Sequence, residues 1–238
     1  MNRKVIITII IAVFAVIIAA SLFYVNDYSH AQKEAADCLE ENENVSIIKT
    51  SNGLLFDGPG NDTALIFYPG AKIEYLAYAP LMMNLSKQNI DCYLVEMPFN
   101  LAFFGVNSAD EIINTSNYNH YFISGHSLGG VAASAYVNAT NKSDGVILLA
   151  SYPAGEISKP ALSIYGSEDK VMNAEAYENA KALFKANFTE DVIDGANHAQ
   201  FAYYGNQSGD GIAKITAEDQ QKQTIDDIVR FIDGIISP

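Results

Sequence analysis

Basic residues are scarce in this chain. Fourteen Lys and Arg stand against 28 Asp and Glu, giving a formal net charge of −14. There is no basic stripe and no Lys/Arg cluster, so the chain should repel nucleic acid and anionic lipid headgroups, and no nucleic-acid partner is expected. Cysteine is scarcer still, with Cys38 and Cys92 alone. One long-range disulfide between them is conceivable, but nothing in the spacing argues for it. Cys92 opens an apolar strand and reads as a small core hydrophobe. The few Cys and His residues form no cluster with metal-ligand spacing, so neither a metal nor another cofactor is expected. Internal repeats are also lacking.

Long apolar runs are limited to one. Arg3 and Lys4 precede Val5 to Val25, a 21-residue stretch broken only by Thr8 and Ser21. About 20 apolar residues can span a bilayer as a helix. The basic flank should stay in the cytoplasm and the acidic side, from Asp27 onward, outside. Cleavage of a signal peptide after Ala31 is the alternative, since Ser29-His30-Ala31 supplies small residues at suitable offsets. A signal-peptide core is usually shorter, so an uncleaved single-pass anchor is favoured. Either way the remaining chain is placed outside the cytoplasm. Residues 1–25 are thus read as the membrane segment, 26–44 as an acidic linker or entry helix, and 45–238 as one domain, which is long enough to bury a sheet.

Within that domain short apolar strands alternate with helices. Strands are expected at 45–49, 53–56, 64–68, 92–95, 121–124, 145–150, 161–165 and 188–193. Helices are expected at 75–88, with Pro80 marking a kink or a late start, at 108–116, 131–137, 174–185 and 217–236. In the last of these Ile225, Ile228, Val229 and Ile232 follow a helical period. The pattern implies an α/β fold with a mainly parallel central sheet covered on both faces. About a dozen residues separate the strands at 145–150 and 161–165. That is too few for an inserted cap domain, so the site should be open.

The residues with chemical potential sit at strand ends. Gly125-His126-Ser127-Leu128-Gly129-Gly130 follows the strand pattern Tyr121-Phe122-Ile123 and precedes a small-residue helix. Strand, sharp Gly-Ser-Gly turn and helix form the setting of a nucleophile elbow. A serine needs a base within hydrogen-bond reach. His30 lies beside the apolar run, His120 precedes a strand, and the turn should aim His126 away from the Ser127 hydroxyl. His198, in the Gly/Asn loop after the last strand, is left as the base, at the sheet edge where open α/β sheets build sites. Asp169, at the end of another strand, is the expected acid, with Glu168 as its neighbouring rival and Asp194 as a solvated turn residue. An oxyanion hole would take the N–H of Leu128 and, from the Pro69-Gly70-Ala71 turn, that of Ala71. Phe99, Asn100, Phe103 and Phe104 are candidates for the wall of an acyl or aryl pocket, or for ordinary core. Gly209-Asp210-Gly211 lacks an EF-hand frame and reads as a tight turn near His198 rather than a calcium loop.

Over roughly residues 45–236 the chain resembles the α/β-hydrolase superfamily. It looks more narrowly like small bacterial hydrolases that are membrane-anchored or lipoprotein-like, distantly similar to dienelactone hydrolases. The motifs that carry this are Tyr68-Pro69-Gly70-Ala71-Lys72, Glu96-Met97-Pro98-Phe99-Asn100-Leu101-Ala102, Gly125-His126-Ser127-Leu128-Gly129-Gly130, Gly166-Ser167-Glu168-Asp169 and Asn197-His198-Ala199-Gln200-Phe201. The resemblance implies Ser127 as nucleophile, Asp169 as acid, His198 as base, and a pocket at the top of the sheet. Pro69 departs from the His-Gly pattern common in the superfamily, which bears on the oxyanion turn. The expectation is a serine hydrolase that acts on a small-molecule ester or acyl substrate at the outer face of a bacterial membrane. An amide or peptide hydrolase, an acyltransferase, and a catalytically silent binding protein on the same scaffold are the alternatives.

Overall fold

The computed structural model describes residues 2–39 and 44–237, so residues 40–43 of the acidic segment lie outside the described residues. An N-terminal helix, α1 (Arg3–Asn26), is followed by the short α2 (Lys33–Asp37) and the strands β1 (Ser46–Thr50), β2 (Gly53–Asp57) and β3 (Thr63–Tyr68). Next come a 3-10 turn (Tyr75–Tyr78), α3 (Ala79–Ser86), β4 (Asp91–Val95), 3-10 turns at Pro98–Asn100 and Ala102–Phe104, and α4 (Ser108–Thr115). The chain continues through β5 (His120–His126), α5 (Leu128–Ala139), β6 (Gly145–Leu149), β7 (Ala161–Gly166), α6 (Ala174–Ala180), β8 (Phe188–Ile193) and α7 (Ala217–Ile236).

One eight-stranded sheet carries the domain, in the order β1-β2-β4-β3-β5-β6-β7-β8. The β1–β2 and β2–β4 pairs are antiparallel and the rest are parallel. The fold is therefore the expected one: a mainly parallel sheet flanked by helices, with no large inserted cap. The central strands β3, β4 and β6 are buried at every residue, which is why they read as apolar runs rather than alternating patterns. Leu65, Phe67, Leu94, Phe122, Ile147 and Leu162 face one layer, where Leu81 and Met82 of α3 and Ile225, Ile228 and Ile232 of α7 pack. Ala64, Ile66, Tyr68, Ile123, Val146 and Leu148 face the other, beneath Ile112 of α4 and Ala132, Ala133 and Tyr136 of α5.

Local detail differs from the expected elements at two helices. The helix expected at 75–88 begins as a 3-10 turn and becomes α-helical only at Ala79, with Pro80 in its first turn, where a missing N–H costs nothing. The helix expected at 174–185 gives way to a 3-10 turn at Lys181. The segment after α1 carries the short helix α2 and, where it is described, is tied to the domain. The Ser29 N–H donates to the Lys72 carbonyl, the Glu74 N–H to the Ser29 carbonyl and the Gln32 N–H to the Tyr203 carbonyl, and Ala35 of α2 is fully buried. Cys92 is buried in β4 as expected, and both cysteines are free.

The turn from β5 into α5 works only because its glycines lack side chains. A Cβ on Gly129 would lie 2.1 Å from the Tyr68 carbonyl oxygen and 2.4 Å from that of Pro69. One on Gly125 would lie 2.4 Å from the Gly129 carbonyl carbon. These neighbours are backbone and cannot swing aside. Gly129→Ala should therefore cost about 3 kcal/mol of stability, read as a lower urea midpoint, whereas Ala135→Gly further along the same helix should cost about 1 kcal/mol. Equal losses would show that the approach of α5 is not sterically constrained.

Candidate functional site

The C-terminal edge of the parallel strands gathers the predicted residues. Ser127 sits at φ 52°, ψ −123°, a backbone conformation that L-residues adopt under constraint. The constraint is visible: its N–H donates to the Leu149 carbonyl at 2.9 Å, and the Ser151 hydroxyl donates to its carbonyl at 2.7 Å. Most other non-glycine residues with positive φ lie at the same edge, namely Ala150, Lys72, Phe99 and Asn100. Strained backbone collects here rather than in the hairpins.

A cavity of about 200 Å³ opens at this point. Ser127, Leu128, Val131, Ala150, Ser151, Tyr152, Val171, Met172, Asn173 and His198 line it. The His198 ring pairs through Nδ1 with Asp169 Oδ2 at 2.8 Å, and the two side chains are only 1% and 2% exposed. The second carboxylate oxygen of Asp169 accepts the N–H groups of Val171 and Met172 at 2.8 and 2.9 Å. With Oδ1 so engaged, Oδ2 is held toward the imidazole, which donates from Nδ1 and leaves Nε2 as an acceptor. Nε2 is buried and has no hydrogen-bond partner.

The rival carboxylates point elsewhere. Glu168 pairs with Lys214 on the surface, and that ammonium holds the Glu168 carboxyl below its ordinary value. Asp194 accepts from the Ser167 hydroxyl at 3.3 Å. The other histidines are accounted for as well. His30 is exposed beside Glu74 and His120 pairs with Asp144. His126 is aimed away from Ser127, as the turn requires, and is fully buried.

His126 has a role that the sequence did not signal. The Gly70 N–H donates to the Tyr78 hydroxyl at 3.1 Å, the hydroxyl donates to His126 Nδ1 at 2.7 Å, and His126 Nε2–H donates to the His198 carbonyl at 3.1 Å. A neutral imidazole satisfies both contacts, one as acceptor and one as donor. Burial, with the neighbouring His198 adding to it, pushes the His126 pKa well below the usual 6.5. Asp210 forms a second tie. Its carboxylate accepts from Ala199 N–H at 2.9 Å and Lys170 N–H at 3.3 Å, so the tight turn read at 209–211 fastens the loop after Asp169 to the loop after His198. Gln220 of α7 grips the base loop from below, accepting the Asn197 N–H and donating to its carbonyl. Among the described residues no group of three or more His, Cys, Asp or Glu could hold a metal ion.

The oxyanion candidates are arranged unequally. The N–H of Leu128 starts α5, has no acceptor within the helix by position, and Leu128 lines the cavity. In the turn after β3, the Gly70 and Lys72 N–H groups are occupied by Tyr78 Oη and the Asn100 carbonyl. Ala71 lies between them and outside the cavity lining. The aromatic pocket expectation fares differently. Phe99, Phe103 and Phe104 are exposed and, with Asn100, none of them lines the Ser127 cavity. Two short 3-10 turns carry them outward, so the walls are instead Val131, Tyr152, Val171 and Met172, residues whose sequence setting carried no signal.

Comparison with known proteins decides the family. The profile of the "Alpha/beta hydrolase family" matches residues 64–222. The chain belongs to the α/β-hydrolase family. Similar solved structures include GrgF, an α/β hydrolase from Penicillium sp. sh18 (12% identity, 82% of this chain and 99% of that chain, TM-score 0.60). Mouse α/β hydrolase domain-containing protein 10 is also similar (11%, 80% and 98%, TM-score 0.59), as is Est1E from Butyrivibrio proteoclasticus (13%, 80% and 99%, TM-score 0.54). At these identities the likeness is one of fold. No curated protein matches in sequence. The fold of this α/β hydrolase suits hydrolytic chemistry and a small-molecule substrate.

Two expectations follow from the geometry. Asp169→Asn should leave the fold intact and lower turnover by on the order of 10³–10⁴-fold, because Asn would offer an N–H where Nδ1 needs an acceptor. Glu168→Gln should stay near wild type; assays of the two variants in parallel check the assignment. In the second case the unfolded chain takes up a proton at His126 near pH 6.5 while the native state resists it. Stability therefore rises with pH in that range and is lost as pH falls below about 6.5. Thermal midpoints between pH 7 and about 5 should show this slope, and His126→Gln should flatten it.

Proposed function

We propose that this α/β hydrolase is a serine carboxylic-ester hydrolase working through an acyl-enzyme. The observation that carries the reading is the Asp169–His198 pair at 2.8 Å, buried against the cavity that Ser127 lines, with Nε2 unpartnered. In this mechanism His198 Nε2 takes the proton of the Ser127 hydroxyl as Oγ bonds to the substrate carbonyl carbon. The carbonyl π electrons move to oxygen, and the Leu128 N–H donates to the oxyanion. Collapse breaks the ester C–O bond, and the proton on Nε2 goes to the departing alkoxide. Water then repeats the sequence: His198 takes its proton, hydroxide adds to the acyl carbon, the Oγ–C bond breaks, and Ser127 regains the proton. Asp169 holds the tautomer and stabilises the imidazolium without taking the proton.

We further propose that α1 is an uncleaved anchor that places the domain on the outer face of the membrane. Its 24 residues make a helix about 36 Å long, enough to cross a hydrocarbon core of about 30 Å, and none of its apolar face is buried against the domain. The length of the apolar run, Val5 to Val25, favours this reading over a signal peptide, whose apolar core is usually about 7–15 residues.

A fluorophosphonate probe should label the wild-type protein and leave Ser127→Ala unlabelled. On a panel of esters, thioesters and amides of graded chain length, ester turnover should exceed amide turnover and fall on the order of 10⁴-fold or more in Ser127→Ala. Preferential amide turnover would move the substrate class, and label-free protein inert on every substrate would point to a binding protein on a hydrolase scaffold.

A further inference from the structure

Three large aromatic side chains stand in solvent beside the end of the N-terminal helix. Phe99, Phe103 and Phe104 are 59%, 63% and 63% exposed. Phe99 and Phe104 pack edge-to-face at a centroid distance of 5.6 Å, and Phe103 precedes Phe104 in the same short turn. Exposed contiguous apolar surface of this kind marks contact with a partner or a membrane. The Phe99 backbone is held at φ 58°, in a left-handed conformation that costs free energy for a bulky residue.

The loop bearing the patch is tied to both the helix and the site. The Lys72 N–H donates to the Asn100 carbonyl at 2.8 Å, which fastens the loop to the turn containing Ala71. The same Lys72 uses its ammonium to pair with Asp27 at 2.7 Å and to sit over the Tyr24 ring at 4.5 Å, and its carbonyl accepts the Ser29 N–H. Helix α1 ends at Asn26 and Ser29 is pinned to this turn. Three residues reach about 11 Å at most, so the end of α1 stays within that distance of the turn however the helix tilts. On the other side, the Ala102–Phe104 turn packs against α5, the helix that follows Ser127. The end of α1 and the aromatic loop thus adjoin one another, and the loop's second turn rests on the helix that follows Ser127.

We propose that Phe99, Phe103 and Phe104 dip into the lipid surface beside the end of α1 and hold the mouth of the Ser127 cavity against it, so that the enzyme takes acyl esters presented by that surface. This rests on the anchor and ester-hydrolase readings above. Continuity with α1 selects lipid as the occupant, because a spanning α1 brings the patch to the membrane interface with Tyr24 and Tyr28 at the same level. The net charge of −14 directs the contact to zwitterionic rather than anionic headgroups.

The chain has no tryptophan, so each single substitution to tryptophan gives one emitter. Full-length Phe14→Trp, Phe103→Trp, Phe104→Trp and Ile212→Trp would be reconstituted in phosphatidylcholine vesicles with brominated acyl chains, and quenching measured. Phe14 lies within α1 and Ile212 is an exposed residue of another loop. Quenching of the Phe14, Phe103 and Phe104 reporters but not that at Ile212 is the expected result. Quenching at Phe14 alone would overturn the docking and leave the anchor standing; no quenching at Phe14 would remove the anchor reading and the proposal with it. The substrate arm compares an ester dispersed in the same vesicles with a short water-soluble ester. Phe103→Ser/Phe104→Ser should lower the ratio of vesicle to soluble turnover about tenfold, equivalent to ~1.4 kcal/mol. An unchanged ratio overturns the surface-presented substrate. Wild-type protein that hydrolyses neither ester overturns the hydrolase reading and, with it, the substrate class, while the quenching result still reads the docking.

Discussion

The contact of α5 with the ends of β3 and β5 is the constraint on which the rest depends. Gly129 rests on the carbonyls of Tyr68 and Pro69 with no room for a methyl group. That single approach brings the start of a helix, the turn after β3 and the residue between β5 and α5 to one point. It also forces Ser127 into a backbone conformation that β-structure and helix both avoid. A helix start contributes free N–H groups and a partial positive charge where a carbonyl oxygen would gather negative charge. The sheet's hydrogen bonding and the two apolar layers supply the stability against which this local strain is set.

Around that point the protein uses buried polar ties rather than a covering domain. Tyr78 and His126 join the Gly70 N–H to the His198 carbonyl through a path with no exposed member. Asp210 joins the backbone after Asp169 to the backbone after His198. Gln220 closes the ring from α7. Each tie ends on main chain, so it fixes where a loop runs and leaves the side chains of Asp169 and His198 to each other. Loops that would otherwise be the least ordered parts of the domain acquire the rigidity of the sheet edge.

Much of this was legible in the sequence because the physics is local. Buried parallel strands write themselves as short apolar runs, and all eight were readable to within a residue or two. The sharp turn at Ser127 was legible because only glycine fits beside it. The pairing of Asp169 with His198 was legible because strand ends on one edge of a parallel sheet meet in space. Illegible were the interactions that depend on distant packing. Nothing near Tyr78 announces that its hydroxyl will meet His126, and nothing in Asp210 distinguishes a strap from a solvated turn. The segment 28–38 is polar in composition, yet it docks through backbone hydrogen bonds that leave no pattern. The aromatic loop misled for a related reason: Phe99, Phe103 and Phe104 look like core or pocket, and the two 3-10 turns that point them outward have no sequence period.

The link between β6 and β7 spans only residues 150–160, and it has a kinetic meaning. With no domain inserted there, no hinged cover has to swing away before a reactant enters or a product leaves. Passage in and out is a matter of diffusion across a fixed rim. In the proposed reading selectivity then falls to two elements: the Val131, Tyr152, Val171 and Met172 walls, which would judge shape after arrival, and the surface on which the domain would rest, which would decide what arrives.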